Sequence, residues 1–277
     1  MKIAIQGELG SFSHQAATEM LPKARVVPCA VSRLVFEALD SARVDGAVIP
    51  IENSLAGSVT EHYDLLLEYS CYIEREYRLR IVHNLIAAPG TKFGDIRLVF
   101  SHPVALAQCR NFFRQNPKLR SEPFYDTAGA VKRILENEIT DAAGIASKLA
   151  ATQYGGRVLK SAIEDNKENY TRFFLVRKLR SSKKRPKDIP VVRGATKASI
   201  AFALKNKPGT LFRALRIFAE HDINMTKIES RPVPGKPWEY VFYVDLLCGS
   251  AEFTKNVQPG LAQESEFVKV LGFYPAA

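Results

Sequence analysis

The sequence predicts an α/β fold in two parts: a larger region whose parallel or mixed sheets form two lobes, then a smaller β-α-β-β-α-β unit. Three observations carry this. Short apolar runs alternate with amphipathic segments as far as Val176. A long extended stretch at Tyr72–Ala88 separates two groups of such βα units, so strands crossing between lobes are expected there. A basic, proline-containing run then divides the chain. The boundaries expected are 1–180 for the first part, 181–196 for the linker and 197–277 for the second part.

In order, Lys2–Gln6 reads as a strand and Ser13–Leu21 as a helix. Arg25–Cys29 is a strand, and Ser32 is placed to cap a helix through Arg43. Gly46–Pro50 is a strand and Ser58–Tyr69 a helix. Ile96–Phe100 is a strand, followed by a helix from Pro103 to Gln115 with proline in its first turn. Strand, helix, strand and helix recur at Glu122–Tyr125, Thr127–Glu138, Ala142–Ala146 and Ser147–Tyr154, and Arg172–Val176 returns the chain to the first lobe. In the second part, a strand at Ala198–Leu204 meets a helix opened by Pro208 and Gly209, with Leu211, Phe212, Leu215, Phe218 and Ala219 as its apolar stripe. A strand at Met225–Ser230, a turn at Pro232–Pro237, a strand at Tyr240–Leu247, a helix at Glu252–Gln263 and a strand at Phe267–Phe273 complete a ferredoxin-like unit. Such a unit, with helices on one sheet face, often pairs with a second copy.

Among 277 residues, 46% are hydrophobic and 25% charged, which excludes collagen-like and largely disordered chains. No apolar run approaches the ~18 residues of a membrane span, and the first residues reach Gly7 too soon for a signal-peptide core. A cytoplasmic protein without membrane contact is expected. Cys29, Cys71, Cys109 and Cys248 are scattered without ligand spacing, so free thiols are expected and no zinc site. The net charge is +10, and +8 of it lies between Arg177 and Lys197. That run reads as a solvated linker rather than a nucleic-acid strip, because no aromatic side chain is interleaved for base stacking.

Candidate chemistry gathers at strand-to-helix junctions. Gly7–Ser13 (with Ser11), Pro50–Val59 (with Asn53, Ser54 and Gly57), Ser101-His102-Pro103 and Asp126–Gly129 (with Thr127) are four polar turns at strand carboxyl ends. Helix N-termini there would present unpaired N–H groups to an anion. Ser101 and Gln108, seven apart, are expected to share a face across two helical turns. Thr171 beside Arg172 at a strand mouth suits a hydroxyl donor near an anion. No Ser/His/Asp order, dinucleotide fingerprint or phosphate-cradling lysine motif occurs, which leaves a cofactor-free reaction or simple binding.

Pro50-Ile51-Glu52-Asn53-Ser54 with Gly57, then Ser101-His102-Pro103 with Gln108-Cys109, then Asn169-Tyr170-Thr171-Arg172-Phe173, closely resemble prephenate dehydratases. Lys207-Pro208-Gly209-Thr210-Leu211 and Ile228-Glu229-Ser230-Arg231-Pro232 resemble the ACT regulatory domain that accompanies them. The resemblance implies a two-lobed catalytic domain of the periplasmic-binding-protein type joined to an ACT domain. It implies a lyase that converts prephenate to phenylpyruvate with loss of water and CO2 in phenylalanine biosynthesis, with no metal or organic cofactor. Catalytic residues would be Thr171, as donor to the departing hydroxyl, with Asn53, Ser101 and Gln108. Ser11, Ser54, Gly57, Thr127, Arg172 and Phe173 would bind substrate. Gly209, Thr210, Leu211, Glu229, Ser230, Arg231 and Pro232 would hold phenylalanine as an allosteric ligand, between the chains of a homodimer or homotetramer. Arogenate on the same scaffold is the alternative substrate, and a non-catalytic two-lobed amino-acid or carboxylate sensor is the alternative class.

Overall fold

The computed structural model describes residues 1–179, 189–233 and 238–277. Half of the expected linker at 181–196, and most of the turn at Pro232–Pro237, fall outside the described residues. The first sheet is built from β1 (Lys2–Gln6), β2 (Arg25–Cys29), β3 (Gly46–Asn53), β4 (Gly57–Ser58), β5 (Cys71–Arg80) and β11 (Tyr170–Lys178). Its order is β2-β1-β3-β11-β5, with β4 folded back on β3. The second comprises β6 (Asn84–Ala87), β7 (Leu98–Ser101), β8 (Arg120–Pro123), β9 (Ala142–Ala146) and β10 (Arg157–Lys160), in the order β10-β6-β9-β7-β8. Both β1 pairings and both β7 pairings are parallel, whereas β6 runs antiparallel to its neighbours β9 and β10. The second sheet is therefore mixed, and β10 is a strand that the sequence pattern did not reveal.

Helices α1 (Phe12–Met20) and α2 (Ser32–Asp40) pack on β1, β2 and β3. Ser32 is the first helical residue, fully buried, and Val31 stands at the cap position instead. The helix expected over Pro103–Gln115 is two helices, α4 (Pro103–Ala107) and α5 (Arg110–Gln115), broken at Gln108-Cys109. Helices α6 (Thr127–Glu136) and α7 (Lys148–Tyr154) are capped by the side chains of Asp126 and Ser147. Apolar strands fill the core: Ile3 and Ile5 of β1, Val48, Ile49 and Ile51 of β3, and Phe173–Val176 of β11 are all buried.

The third sheet contains β12 (Lys197–Leu204), β13 (Met225–Pro232), β14 (Tyr240–Leu246) and β15 (Phe267–Tyr274), all antiparallel, in the order β13-β14-β12-β15. With α8 (Thr210–Glu220) and a helical stretch comprising α9 (Ser250–Glu252), one π-helical turn (Phe253–Val257) and α10 (Gln258–Glu264), it forms the expected β-α-β-β-α-β unit. One face of this sheet buries Ile200, Phe202, Val244 and Leu246 with Ala214, Phe218 and Leu261 of the helices.

Compactness groups Met1–Val59 with Tyr77–Phe173, and Thr60–Glu76 with Phe174–Ala277. Residues 60–76, which the sequence had placed in the first part, thus pack with the C-terminal sheet. The reason lies on that sheet's second face. Lys269 Nζ donates to the carbonyls of Leu66, Leu67 and Tyr69 at 2.7, 2.9 and 3.2 Å, a cation at the end of α3 (Thr60–Glu68) where the helix dipole favours it. Lys197 Nζ sits 2.9 Å from Glu76 Oε2 and 3.8 Å from Asp245 Oδ2, all three side chains buried. Removing one partner from such a cluster leaves a buried charge uncompensated and is strongly destabilising.

The loop after β1 is held as tightly. Gly10 has φ +86°, and a Cβ there would lie 2.7 Å from Cα of Ala150. Gly10→Ala is expected to destabilise the protein by about 2 kcal/mol or more, from left-handed strain and overpacking together. Denaturant unfolding measures this, and an unchanged midpoint would contradict the packing described.

Candidate active site

Asn53 ends β3, and the chain turns back through Gly57, whose φ of +84° closes the loop into β4. Asn53 Oδ1 accepts from the backbone N–H groups of Leu55 and Ala56 at 3.0 and 2.8 Å. Backbone N–H groups only donate, so this side of the carboxamide is its oxygen. Nδ2 therefore faces the other way, and its two protons are shared among Asn169 Oδ1 at 2.7 Å, Thr171 Oγ1 at 3.0 Å and Tyr170 O at 3.1 Å. Ser54 adds to the lacing: its N–H donates to Tyr170 O, and its Oγ donates to Glu168 O and accepts from Tyr170 N. The end of β3 and the start of β11 are fastened side by side.

Gln108 arrives because the helix breaks. Its carbonyl accepts from Asp165 N at 2.7 Å, and the Asp165 carboxylate takes the N–H groups of Arg110 and Asn111, both at 2.9 Å, at the start of α5. Gln108 Nε2 donates to Asn53 Oδ1 at 3.3 Å, while its Oε1 accepts from Asn169 Nδ2 at 2.9 Å and lies 2.8 Å from His83 Nε2. His83 was not singled out from the sequence; a lone histidine in an extended apolar stretch gives no local signal. Burial lowers its pKa, although the Gln108 hydrogen bond and the Glu164 carboxylate act in the opposite direction. A cavity of about 430 Å³ is lined by Leu55, Ala56, Val104, Ala107, Gln108 and Asn169, with Arg110, Asp165 and Asn166.

The cluster thus brings together Asn53, Gln108 and Thr171, with Ser54 and Gly57 beside them. Ser101 is elsewhere. It is wholly buried on β7 and donates to Ile145 O at 2.6 Å. Because it is a strand residue, the helical spacing to Gln108 does not apply. Arg172 follows Thr171 on a strand, so the two point to opposite faces. Its Nε pairs with Glu52 Oε1 at 2.9 Å, which matches the charge expected to meet an anion. Phe173 is 1% exposed, a core residue rather than a cavity wall. Ser11 caps α1 by accepting from His14 N, and Thr127 is the first residue of α6. Both sit on a tied loop: Glu8 accepts from Tyr125 Oη and Lys132 Nζ, and Ser147 Oγ donates to Gly10 O. The Glu8 carboxylate helps raise the Tyr125 pKa, after burial, to about 12.

In the second unit Gly209, with φ +80°, precedes α8, and Thr210 Oγ1 donates to the carbonyls of Lys205 and Lys207. A 320 Å³ cavity is lined by Lys205, Lys207, Gly209, Thr210, Leu211, Phe212, Trp238 and Tyr240, among others. Glu229, Ser230, Arg231 and Pro232 lie on the edge strand β13 and do not line it. Arg231 instead donates to Asp64 of α3 at 2.9 Å. Among the described residues, no helix is long and apolar enough to cross a membrane.

Comparison with known proteins follows the same outline. The family model of prephenate dehydratases matches residues 3–181, and that of ACT domains residues 198–250. The arogenate dehydratase/prephenate dehydratase 2 of Arabidopsis thaliana, a chloroplastic protein, is 40% identical over 99% of this chain and 73% of its own length. The prephenate dehydratase of Arthrobacter aurescens, solved in complex with L-Phe, superposes with a TM-score of 0.89 at 29% identity, covering 100% of this chain and 90% of that one. GqqA, described as a novel type of quorum-quenching acylase, superposes with a TM-score of 0.87 at 31% identity, covering 100% and 98%.

Asn53→Asp keeps the side chain's shape but turns an oxygen toward Asn169 Oδ1 and Tyr170 O. It is expected to lower stability by about 1–3 kcal/mol, the cost of buried acceptors without a donor. Equilibrium unfolding checks this, and no loss would mean the amide is not held in the sense described.

Proposed function

The chain belongs to the prephenate dehydratase family, and from that premise we propose that the Asn53–Thr171 cluster performs the family's reaction, prephenate to phenylpyruvate with loss of water and CO2. In that reaction the bond to the ring carboxylate breaks, its electrons complete the aromatic ring, and the ring hydroxyl leaves. A donor to the departing oxygen stabilises the charge that develops there. The observation that carries the assignment is the Asn53–Thr171 hydrogen bond. Thr171 Oγ1 accepts from Asn53, so its own proton is left for the substrate. A hydroxyl that accepts one bond donates a stronger one, because the chain of dipoles is cooperative.

Gln108 and Asn169, which line the cavity, orient the substrate, and Ser11 and Thr127, at the starts of α1 and α6, take part in binding it. Arg172, paired with Glu52, clamps β11 to β3 from the opposite face, and Ser101 and Phe173 hold the framework. The catalytic domain spans 1–180 and the regulatory domain 197–277, joined by the linker at 181–196. We place the protein in the reducing cytoplasm, where the thiols of Cys29, Cys71, Cys109 and Cys248 would stay free. Arogenate is the second reading, favoured by the double name of the Arabidopsis relative. It differs from prephenate away from the bond broken.

Side-by-side turnover of prephenate and arogenate, followed by product absorbance, tests the reading. Hydrolysis of an N-acyl amide, followed by the amine released, tests the activity named for GqqA. Turnover of neither cyclohexadiene would overturn the lyase assignment. Thr171→Ala is expected to lower kcat by ~10²-fold or more with a smaller change in KM, and Thr171→Ser to retain part of the rate. Unchanged turnover in Thr171→Ala would remove its role.

We assign phenylalanine, the ligand of the Arthrobacter protein, to the cavity beside Gly209, Thr210 and Leu211. Glu229–Pro232 from a second copy would close it in a homodimer or homotetramer, which accounts for their absence from the cavity wall of one chain. Calorimetry with phenylalanine, with and without a substrate analogue, is expected to show coupling of about 1–3 kcal/mol. Equal affinities in the two titrations would show independent sites.

A further inference from the structure

We propose that His83 is a positioning residue of this reaction: held as the neutral Nε2–H tautomer, it fixes Gln108 and, through Gln108 and Asn53, the direction of the Thr171 hydroxyl proton. The inference deepens the role given to Thr171 and rests on it.

The argument starts from atoms whose roles cannot be exchanged. The backbone N–H groups of Leu55 and Ala56 require Asn53 Oδ1 on their side. Gln108, 3.3 Å from that oxygen, must present its nitrogen there. Its oxygen therefore lies on the side of Asn169 Nδ2 and His83 Nε2, at 2.9 and 2.8 Å. An oxygen only accepts, so His83 Nε2 carries a proton. The residue is 2% exposed, and among the described residues the ring's Nδ1 has no hydrogen-bond partner. Protonating Nδ1 would bury an N–H without an acceptor, so the ring stays neutral. Backbone and ring are each held. The His83 backbone N–H donates to Glu164 Oε2 at 2.9 Å, and the ring meets Phe12 edge-on at 5.5 Å between centroids.

With His83 in place, Gln108 Oε1 takes two donors and the amide cannot turn over. Without that donor, Gln108 Oε1 keeps only Asn169 Nδ2, and although Leu55 and Ala56 still hold Asn53 Oδ1, the Gln108 side of the network loosens around Asn53, Asn169 and Thr171. The Thr171 proton then samples directions away from the substrate. Such loss of orientation acts on the chemical step rather than on binding.

Two measurements on the full chain decide the matter. The first is the ¹⁵N NMR spectrum of the His83 ring at neutral pH. The Nε2–H tautomer is expected, and an Nδ1–H ring would overturn the inference even if every variant failed to fold. The second compares kinetics with prephenate. His83→Leu is expected to lower kcat by roughly 10-fold or more with KM nearly unchanged. His83→Gln, which returns a donor nitrogen, is expected to recover most of that loss. Full kcat in a folded His83→Leu protein, alongside a crippled Thr171→Ala protein, would sink this inference alone. Full activity in Thr171→Ala would instead sink the reading on which it rests.

Discussion

Two backbone N–H groups, those of Leu55 and Ala56, govern the chemistry of this site. They bind one end of the Asn53 carboxamide and leave it no freedom to rotate by half a turn. Once that amide is oriented, every neighbour is oriented with it. Gln108 must offer nitrogen to Asn53 and oxygen to Asn169 and His83, and Thr171 must accept rather than donate. Reversing any member would face donor against donor or acceptor against acceptor in a half-buried place, where each unpaired group costs up to about 1–3 kcal/mol. A buried polar network of this kind is rigid because it is fully specified.

The fold supplies the network by bringing three remote chain segments to one point. The end of β3 and the start of β11 lie side by side in one sheet, and Ser54 stitches them. Gln108 comes from the break between α4 and α5, held open by Asp165. Immediately after the Asn53 loop the chain enters α3, whose residues pack with the C-terminal unit. Lys269 holds the end of that helix, and Arg231 its flank through Asp64. The polypeptide thus runs directly from the loop that carries Asn53 into a helix that packs with the C-terminal sheet.

Much of this was legible in the sequence where local chemistry dominates. β1, β2 and β9 begin and end where apolar runs meet polar residues, and the motif resemblance gathered Asn53, Gln108 and Thr171. What escaped reading depends on distant contacts. Val104 to Gln108 has the composition of a continuous helix, and the break is imposed by Asp165, more than fifty positions away. Arg172 was paired with Thr171 by adjacency, but strand geometry sends the two to opposite faces and gives Arg172 to Glu52. His83 shows no spacing to any partner, since its contacts come from Gln108, Glu164 and Phe12.

The most direct test is to see the hydrogen on Thr171. Neutron diffraction from deuterium-exchanged crystals, grown with an unreactive substrate analogue, locates it. The account requires Asn53 to donate to Thr171 Oγ1 and the hydroxyl deuterium to point at the analogue's oxygen. A hydroxyl deuterium aimed at Asn53, with the amide turned over, would contradict it.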